Sequence, residues 1–180
     1  ASISSAGLFS WTPSEAQGAG TYAFDVVVTD DGNPNLSDRE TIAVTVNEVN
    51  VAPVLASIGN QTVDELTLLT FTATASDVDQ PANTLSFSLD AGATGSVPAG
   101  ASITSAGAFS WTPSEAQGAD TFTFDVVVTD DGNPNLSDRE TITVTVDEVN
   151  VAPVLDPISN QTVDAAAPLS FTVTASDSDL

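Results

Sequence analysis

The sequence contains no lysine, histidine, cysteine or methionine, and its only cationic side chains are Arg39 and Arg139. Each absence excludes something. Without Cys there is no disulfide framework and no thiolate chemistry. Without His, Lys or Cys, the usual pairs of nucleophile and base cannot be assembled. Two cations stand against 25 acidic residues, for a formal charge of −23. That leaves no basic patch to displace counterions from nucleic-acid phosphates or to bind an anionic membrane surface. No apolar run reaches the roughly 18 residues needed to cross a bilayer. The chain does not begin with Met and shows no signal peptide, which reads as a missing front end rather than as a sign of the cytoplasm. A pair of carboxylates for glycoside hydrolysis could be drawn from so many acids. No aromatic-lined cleft accompanies one, and the acids recur in every unit, so the chain reads as a non-enzyme.

What is present is acid, concentrated rather than spread, since charged residues are only 15% of the chain. Two partners suit such a surface. One is a hard divalent cation that prefers oxygen ligands; the other is water at high salt, as on a halophilic protein.

The second feature is repetition, the first thing to seek in a sequence of this length. The segment from Ser5 to Leu55 returns almost word for word from Ser105 to Leu155, with Trp11 matching Trp111, Arg39 matching Arg139 and Pro53 matching Pro153. A further pair begins at Asn60 and Asn160. The words around Asn50 read as a linker. On that phase, residues 51–150 form one complete unit, 1–50 the C-terminal part of a preceding unit and 151–180 the N-terminal part of the next. Either the chain is a segment of a longer array, or its partial ends complete one another head to tail in a filament. Copies this alike suit reach better than site-specific catalysis.

Hydrophobic residues alternate with period two throughout. Leu69, Phe71, Ala73 and Ala75 share one face, as do Leu85, Phe87 and Leu89, then Phe109 and Trp111, then Phe122, Phe124, Val126 and Val128, then Ile142, Val144 and Val146. Their polar neighbours are mostly Thr and Ser, which suit half-exposed strands. Turn signals stand at Asp79-Gln80-Pro81, at Asp131-Gly132-Asn133-Pro134 and between Ala91 and Gly100. About seven short strands in roughly 100 residues predict an all-β fold of tandem seven-stranded Greek-key β-sandwiches.

Four words in order carry a resemblance: Asp77-Val78-Asp79 followed by Asn83; Trp111-Thr-Pro-Ser-Glu115; Asp130-Asp-Gly132-Asn-Pro134; and Asp147-Glu-Val-Asn150-Val-Ala-Pro153. Together they resemble the bacterial cadherin-like domain of the dystroglycan or putative-Ig type, over the whole chain. In that family such words meet where consecutive domains join, and hold calcium. The resemblance implies a first junction built from Glu15, Asn47 and Asn50 with Asp77, Asp79 and Asp130. It implies a second built from Glu65, Glu115, Asp147 and Asn150 with Asp177 and Asp179. Val49 and Val51 replace family Asn residues, Asn47 replaces an Asp, and Ala165 stands where the previous copy has Glu65. Fewer carboxylates imply fewer or weaker ions, and a weaker first junction.

Each residue has a plainer reading. Asp77, Asp79 and Asp130 are also good turn residues. Asp25 and Asp125 alternate with inward Phe and Val, and read as solvated strand faces. Trp11 and Trp111 read as core packing rather than sugar stacking. The two arginines are expected to pair with nearby acids. Asn35, Asn60, Asn135 and Asn160 begin N-x-[ST] triplets. The resulting expectation is an extracellular, cell-surface stalk or fibre whose linkers are rigidified by calcium, with neighbouring repeats as partners. A polysaccharide-binding module and homophilic adhesion between arrays are the competing readings.

Overall fold

A computed structural model describes residues 1–179; Leu180, the end of the third expected segment, lies outside the described residues. Residues 1–50 carry β1 (Ser2–Ile3), β2 (Phe9–Ser10), β3 (Gly20–Thr29) and β4 (Ser37–Val46). Residues 51–150 carry β5 (Val54–Leu55), β6 (Gln61–Asp64), β7 (Leu69–Thr72), β8 (Ala75–Ser76), β9 (Ser86–Asp90), β10 (Ser102–Ile103), β11 (Ala108–Trp111), β12 (Thr121–Thr129) and β13 (Ser137–Asp147). β14 (Val154–Leu155) and β15 (Ala175–Ser176) follow. The helical elements among the described residues are two short 3-10 turns, Glu15–Gln17 and Glu115–Gln117. The class is all-β.

The largest sheet has four strands in the order β6-β13-β12-β9, and a three-stranded sheet runs β10-β11-β7. In the latter, Phe109 pairs with Phe71 and Trp111 with Leu69. β6 joins β13 in parallel, with Val144 opposite Gln61. The alternation read from the sequence fixes which side chains turn inward. Ile142, Val144 and Val146 are buried on β13, and Leu69 and Phe71 lie half-buried between exposed threonines on β7.

By contacts the chain forms two compact units, Ala1–Ala56 with Thr74–Phe87 and Val127–Arg139, and Ser57–Ala73 with Ser88–Val126 and Glu140–Leu180. In the first, Pro53, Leu55, Val127 and Val128 are buried. In the second, the core holds Phe109, Trp111, Phe124, Val126, Ile142, Val144 and Val146. There Phe71 stacks on Phe109 at 4.4 Å and Phe109 on Phe124 at 6.0 Å, so side chains of the three- and four-stranded sheets meet face to face as in a sandwich. Trp111 belongs to this core, packed edge-on against Phe122, with its indole N–H donated to the Ala99 carbonyl at 3.2 Å.

Acidic residues organise the loops. Asp130 Oδ1 accepts the backbone N–H groups of Gly132 (3.0 Å) and Leu136 (2.9 Å), closing the loop before β13. Asp30 does the same in the preceding copy. Glu140 accepts the N–H groups of Ile58 and Gly59 and the Ser57 hydroxyl. The Ile58 N–H above all holds its carboxyl below the usual range, against the upward push of burial, with Gly59 and Ser57 helping.

One expectation fails. Asp125 is 4% exposed rather than solvated, and accepts the Thr141 hydroxyl at 2.6 Å. β12 is flanked by a strand on each edge, and neighbouring Val127 is also buried, so this strand is covered on both faces. Its copy Asp25 is exposed, as expected, and pairs with Arg39 at 3.4 Å.

Phe24 occupies in the first copy the place of fully buried Phe124, but is only half-buried. Phe124→Ala is therefore expected to cost about 3–5 kcal/mol in urea unfolding, and Phe24→Ala less than half as much. Equal costs would show that the two copies are packed alike.

Candidate metal centres

The second cluster begins at the end of β6. The Glu65 N–H donates to the Asp147 carbonyl at 3.0 Å, and Leu66 then turns into the left-handed region at φ 57°, donating its own N–H to the Pro113 carbonyl at 2.9 Å. That conformation costs an L-residue roughly 1–2 kcal/mol, so those two bonds hold the kink. Glu65 consequently points inward and is 2% exposed. Its Oε1 accepts the Val149 N–H at 3.1 Å, while Oε2 is buried with no protein partner.

Glu115 opens the second 3-10 turn. The Gln117 side-chain oxygen fixes that turn by accepting the Ser114 N–H (2.9 Å) and hydroxyl (3.0 Å). Glu115 Oε1 is likewise buried and unpartnered. Glu148, just past β13, completes a trio in which one oxygen from each of Glu65, Glu115 and Glu148 lies within 4.8 Å of the others. Gly118 makes room, since a Cβ there would collide with the Glu65 carboxylate and press on Glu148. Asp179 approaches from the next segment. Its Oδ2 accepts the Val151 N–H at 2.8 Å, Oδ1 is buried without a partner, and Asp177 Oδ1 accepts the Asp179 N–H at 3.1 Å.

The first cluster repeats this with Glu15, Glu48 and Asp79, one oxygen of each again within 4.8 Å of the others. Glu15 Oε1, Glu48 Oε1 and Asp77 Oδ2 are buried and unpartnered. Asp79 accepts the Val51 N–H on both oxygens (3.2 and 3.1 Å) and the Asn83 amide at 2.8 Å. Asn83 also donates to Asn50 Oδ1 at 2.7 Å, and Asn50 donates to Asp130 Oδ2 and to the Pro134 carbonyl, both at 3.0 Å.

The electrostatics follow from that crowding. Glu115 is pushed above the ordinary carboxylate range by burial first, then by Glu65, Asp179 and Asp177. Glu148 is raised by burial and by Glu65, Glu115 and Asp179. Glu48 is raised by burial and by Asp79, Glu15 and Asp77. Burial also pushes Asp130 upward, but the Leu136 and Gly132 amides and the Asn50 side chain outweigh it, and its carboxyl stays low.

Of the expected ligands, the structure brings Glu15 to Asp79 and Glu65 to Glu115, with Asp77 and Asp179 each offering a buried free oxygen. Asp130 and Asn50 belong instead to the hydrogen-bonded network beside the first cluster. Asn47 lines a groove of about 220 Å³ with Glu15 and Glu48. Asp177 is exposed and tied to Asp179, Asp147 pairs in the ladder with Asp64, and exposed Asn150 stands outside both trios. Glu48 and Glu148 are functional candidates that motif matching misses. The signal for Glu48 is periodicity: Ile42, Val44, Val46, Glu48 and Asn50 form one inward row that continues past the end of β4.

The donors are all oxygens, several are buried with a free lone pair, and they are charged alike. That set suits a hard cation of the calcium type and no soft metal.

An all-β sandwich carried in a repeated sequence defines an immunoglobulin-like, cadherin-like class of protein. The chain belongs to the family described as Putative Ig domain (He_PIG), whose profile matches residues 52–147. No curated protein matches it. Among solved structures it is similar to the cis-dimer structure of protocadherin gammaB7 EC3-6 (23% identity, TM-score 0.55, 88% of this chain and 44% of that one). It is similar also to protocadherin gamma C5 EC1-3 (21%, 0.58, 81% and 51%) and to mouse cadherin-23 EC22-24 (18%, 0.57, 94% and 57%). The chain thus spans about half the length of those structures, and at such identities the likeness is one of fold.

A pH dependence follows for the protein in chelator. Glu48, Glu115 and Glu148 bind protons more tightly folded than unfolded, so their contribution is present at low pH and lost as pH rises through their raised values. Asp130, Asp131 and Glu140 are lowered, so theirs is present at neutral pH and lost as pH falls through their depressed values. The melting temperature should rise from pH about 7 toward about 5 and fall at lower pH. A monotonic fall from neutrality would contradict the crowding of the glutamates.

Proposed function

We propose that this chain is a stretch of an extracellular structural or adhesive stalk, built of repeats whose linkers are stiffened by calcium. The repeat unit is residues 51–150, with 1–50 and 151–180 belonging to the units on either side. The observation that carries the reading is Glu65, a carboxylate 2% exposed with one unpartnered oxygen, turned toward Glu115 and Glu148. A buried carboxylate oxygen without a partner is costly, and the chain has almost no positive charge of its own to meet it.

Glu65, Glu115, Glu148 and Asp179 would hold an ion in the second site, and Glu15, Glu48, Asp77 and Asp79 in the first. Calcium bound there supplies positive charge and accepts six to eight oxygens, backbone carbonyls and water included. The residues supply convergence: the Leu66 kink, the Glu115 turn and Gly118 set three carboxylates around one space. The Val51 and Val151 amides tether linker to Asp79 and Asp179, so an ion that fixes these aspartates also fixes the linker.

A stalk needs no catalytic group, which agrees with the lack of His, Lys and Cys. Glycan recognition has little to use: Trp111 is buried, and the Tyr22 hydroxyl donates to the Gln17 carbonyl at 3.2 Å beside Trp11. No helix among the described residues is long and apolar enough to cross a membrane.

At a dissociation constant of roughly 10⁻⁴ to 10⁻³ M, calcium at about 10 mM should add about 1.4 to 2.7 kcal/mol of stability per ion. Thermal unfolding should show it as a higher midpoint, and X-ray scattering as a longer particle. The Glu65→Gln, Glu148→Gln double variant should lose part of the gain while folding normally in chelator. Identical curves with and without calcium would end the stalk-stiffening account.

A further inference from the structure

The linker that enters the central repeat carries a side chain whose every polar atom is used. The Nδ2 hydrogens of Asn50 go to Asp130 Oδ2 and to the Pro134 carbonyl, both at 3.0 Å, and its Oδ1 accepts the Asn83 amide at 2.7 Å. Asn83 also donates to Asp79 Oδ2 at 2.8 Å, and Asp79 in turn holds the Val51 N–H. The orientation of the Asn50 amide is forced. Turned over, its oxygen would face a carboxylate and a carbonyl, neither of which can donate. Asp130 is thereby complete: Oδ1 accepts the Gly132 and Leu136 amides, and Oδ2 accepts Asn50.

The receptor for that amide is built by its own bonds. The Asp130 carbonyl accepts the Asn135 side chain at 2.7 Å, and the copy of this loop at Asp30 is closed in the same way, with Asn35 at 2.7 Å. Asp131 accepts the Thr84 N–H at 2.7 Å, which sets Asn83 on the other side of the amide. Gly132 makes the floor, since a Cβ there would overlap the Asn50 side chain. Gly132 is not among the residues at positive φ, so this glycine supplies space rather than backbone freedom.

An amide whose hydrogens lie between two oxygens does for them what a bridging cation would do. We propose that Asn50 is a metal-free latch, holding the linker to the Asp130–Asn135 loop in place of an ion, so that this part of the junction is closed in chelator and calcium enters at the trio of Glu15, Glu48 and Asp79. Asn50 thus sets how many ions the junction holds. With Asp at this position, two carboxylates and the Pro134 carbonyl would face one another. They would repel until a hard cation bridged them. The latch stands on its own bonds; its part in setting the number of ions rests on the calcium reading above.

The test uses the 180-residue chain, first in chelator. By NMR, the Asn50 side-chain hydrogens should exchange with solvent about tenfold more slowly than those of exposed Asn47, and should stay protected when calcium is added. Asn50→Asp should lower the melting temperature in chelator by about 4 °C, regain it in calcium, and bind an additional ion in a calorimetric titration. Gly132→Ala should displace the amide without changing any charge and cause a similar loss with no added ion. Combined with Asn50→Ala, it should cost little more than either change alone. Asn50 hydrogens that exchange as fast as those of Asn47 in chelator would overturn the proposal, as would additive losses in the double variant. Loss of their protection in calcium would overturn it too, by placing an ion among those oxygens. The chelator measurements involve no ion, so they judge the latch separately: wild-type protein that binds no calcium would remove the stalk reading and leave the latch to those data.

Discussion

The feature on which the rest depends is a local excess of negative charge that the protein creates and does not neutralise. A buried carboxylate is normally rescued by a cation, by several hydrogen-bond donors, or by taking up a proton. Arg39 lies nine residues before Glu48, or about 30 Å along an extended strand, and is spent on Asp25. Donors reach only some of the oxygens: Val149 satisfies one oxygen of Glu65 and leaves the other. Proton uptake remains, and the raised affinities of Glu48, Glu115 and Glu148 show the site leaning that way. A left-handed Leu66 and a side-chain-free Gly118 bring these groups together, and a cation placed among them would relieve the crowding.

The acids fall into two physical kinds that composition cannot separate. Asp130, Asp131 and Glu140 accept backbone N–H groups, and those bonds hold their carboxyls low. They act as loop fasteners, complete without an ion. Glu15, Glu48, Glu65, Glu115, Asp77 and Asp179 each keep a buried oxygen that nothing in the protein fills. Asp79 belongs partly to each kind, since it accepts the Val51 amide and the Asn83 side chain while standing in the first trio. It therefore ties the Val51 backbone directly to the first trio.

Much of this was legible in the sequence. Period-two alternation located β7, β11, β12 and β13 and their inward rows, because one buried face per strand leaves a direct trace. The repeat located equivalent residues. Asp125 was misread because alternation assumes that one face meets water, and a strand flanked on both edges and covered on both faces breaks that assumption. Glu48 and Glu148 were missed for another reason. The family words place their ligands on either side of this position, and a motif cannot show that an inward row runs on beyond the last ladder bond. Asp130 matched its word, yet its oxygens are taken by Gly132, Leu136 and Asn50, a fact of loop geometry that no spacing reveals.

Near-identical copies also bear on how such a chain associates. When neighbouring units share one sequence, the strand that completes one unit fits the same face of any other, so completion is not tied to covalent order. Distinct repeats would restrict each strand to its own face through mismatched side chains. The charge of −23 opposes any such contact at long range. Salt screens that repulsion over about 10 Å, while the apolar stacking of Phe on Phe acts at contact and is indifferent to salt. Divalent ions at the acidic trios would lower the same barrier.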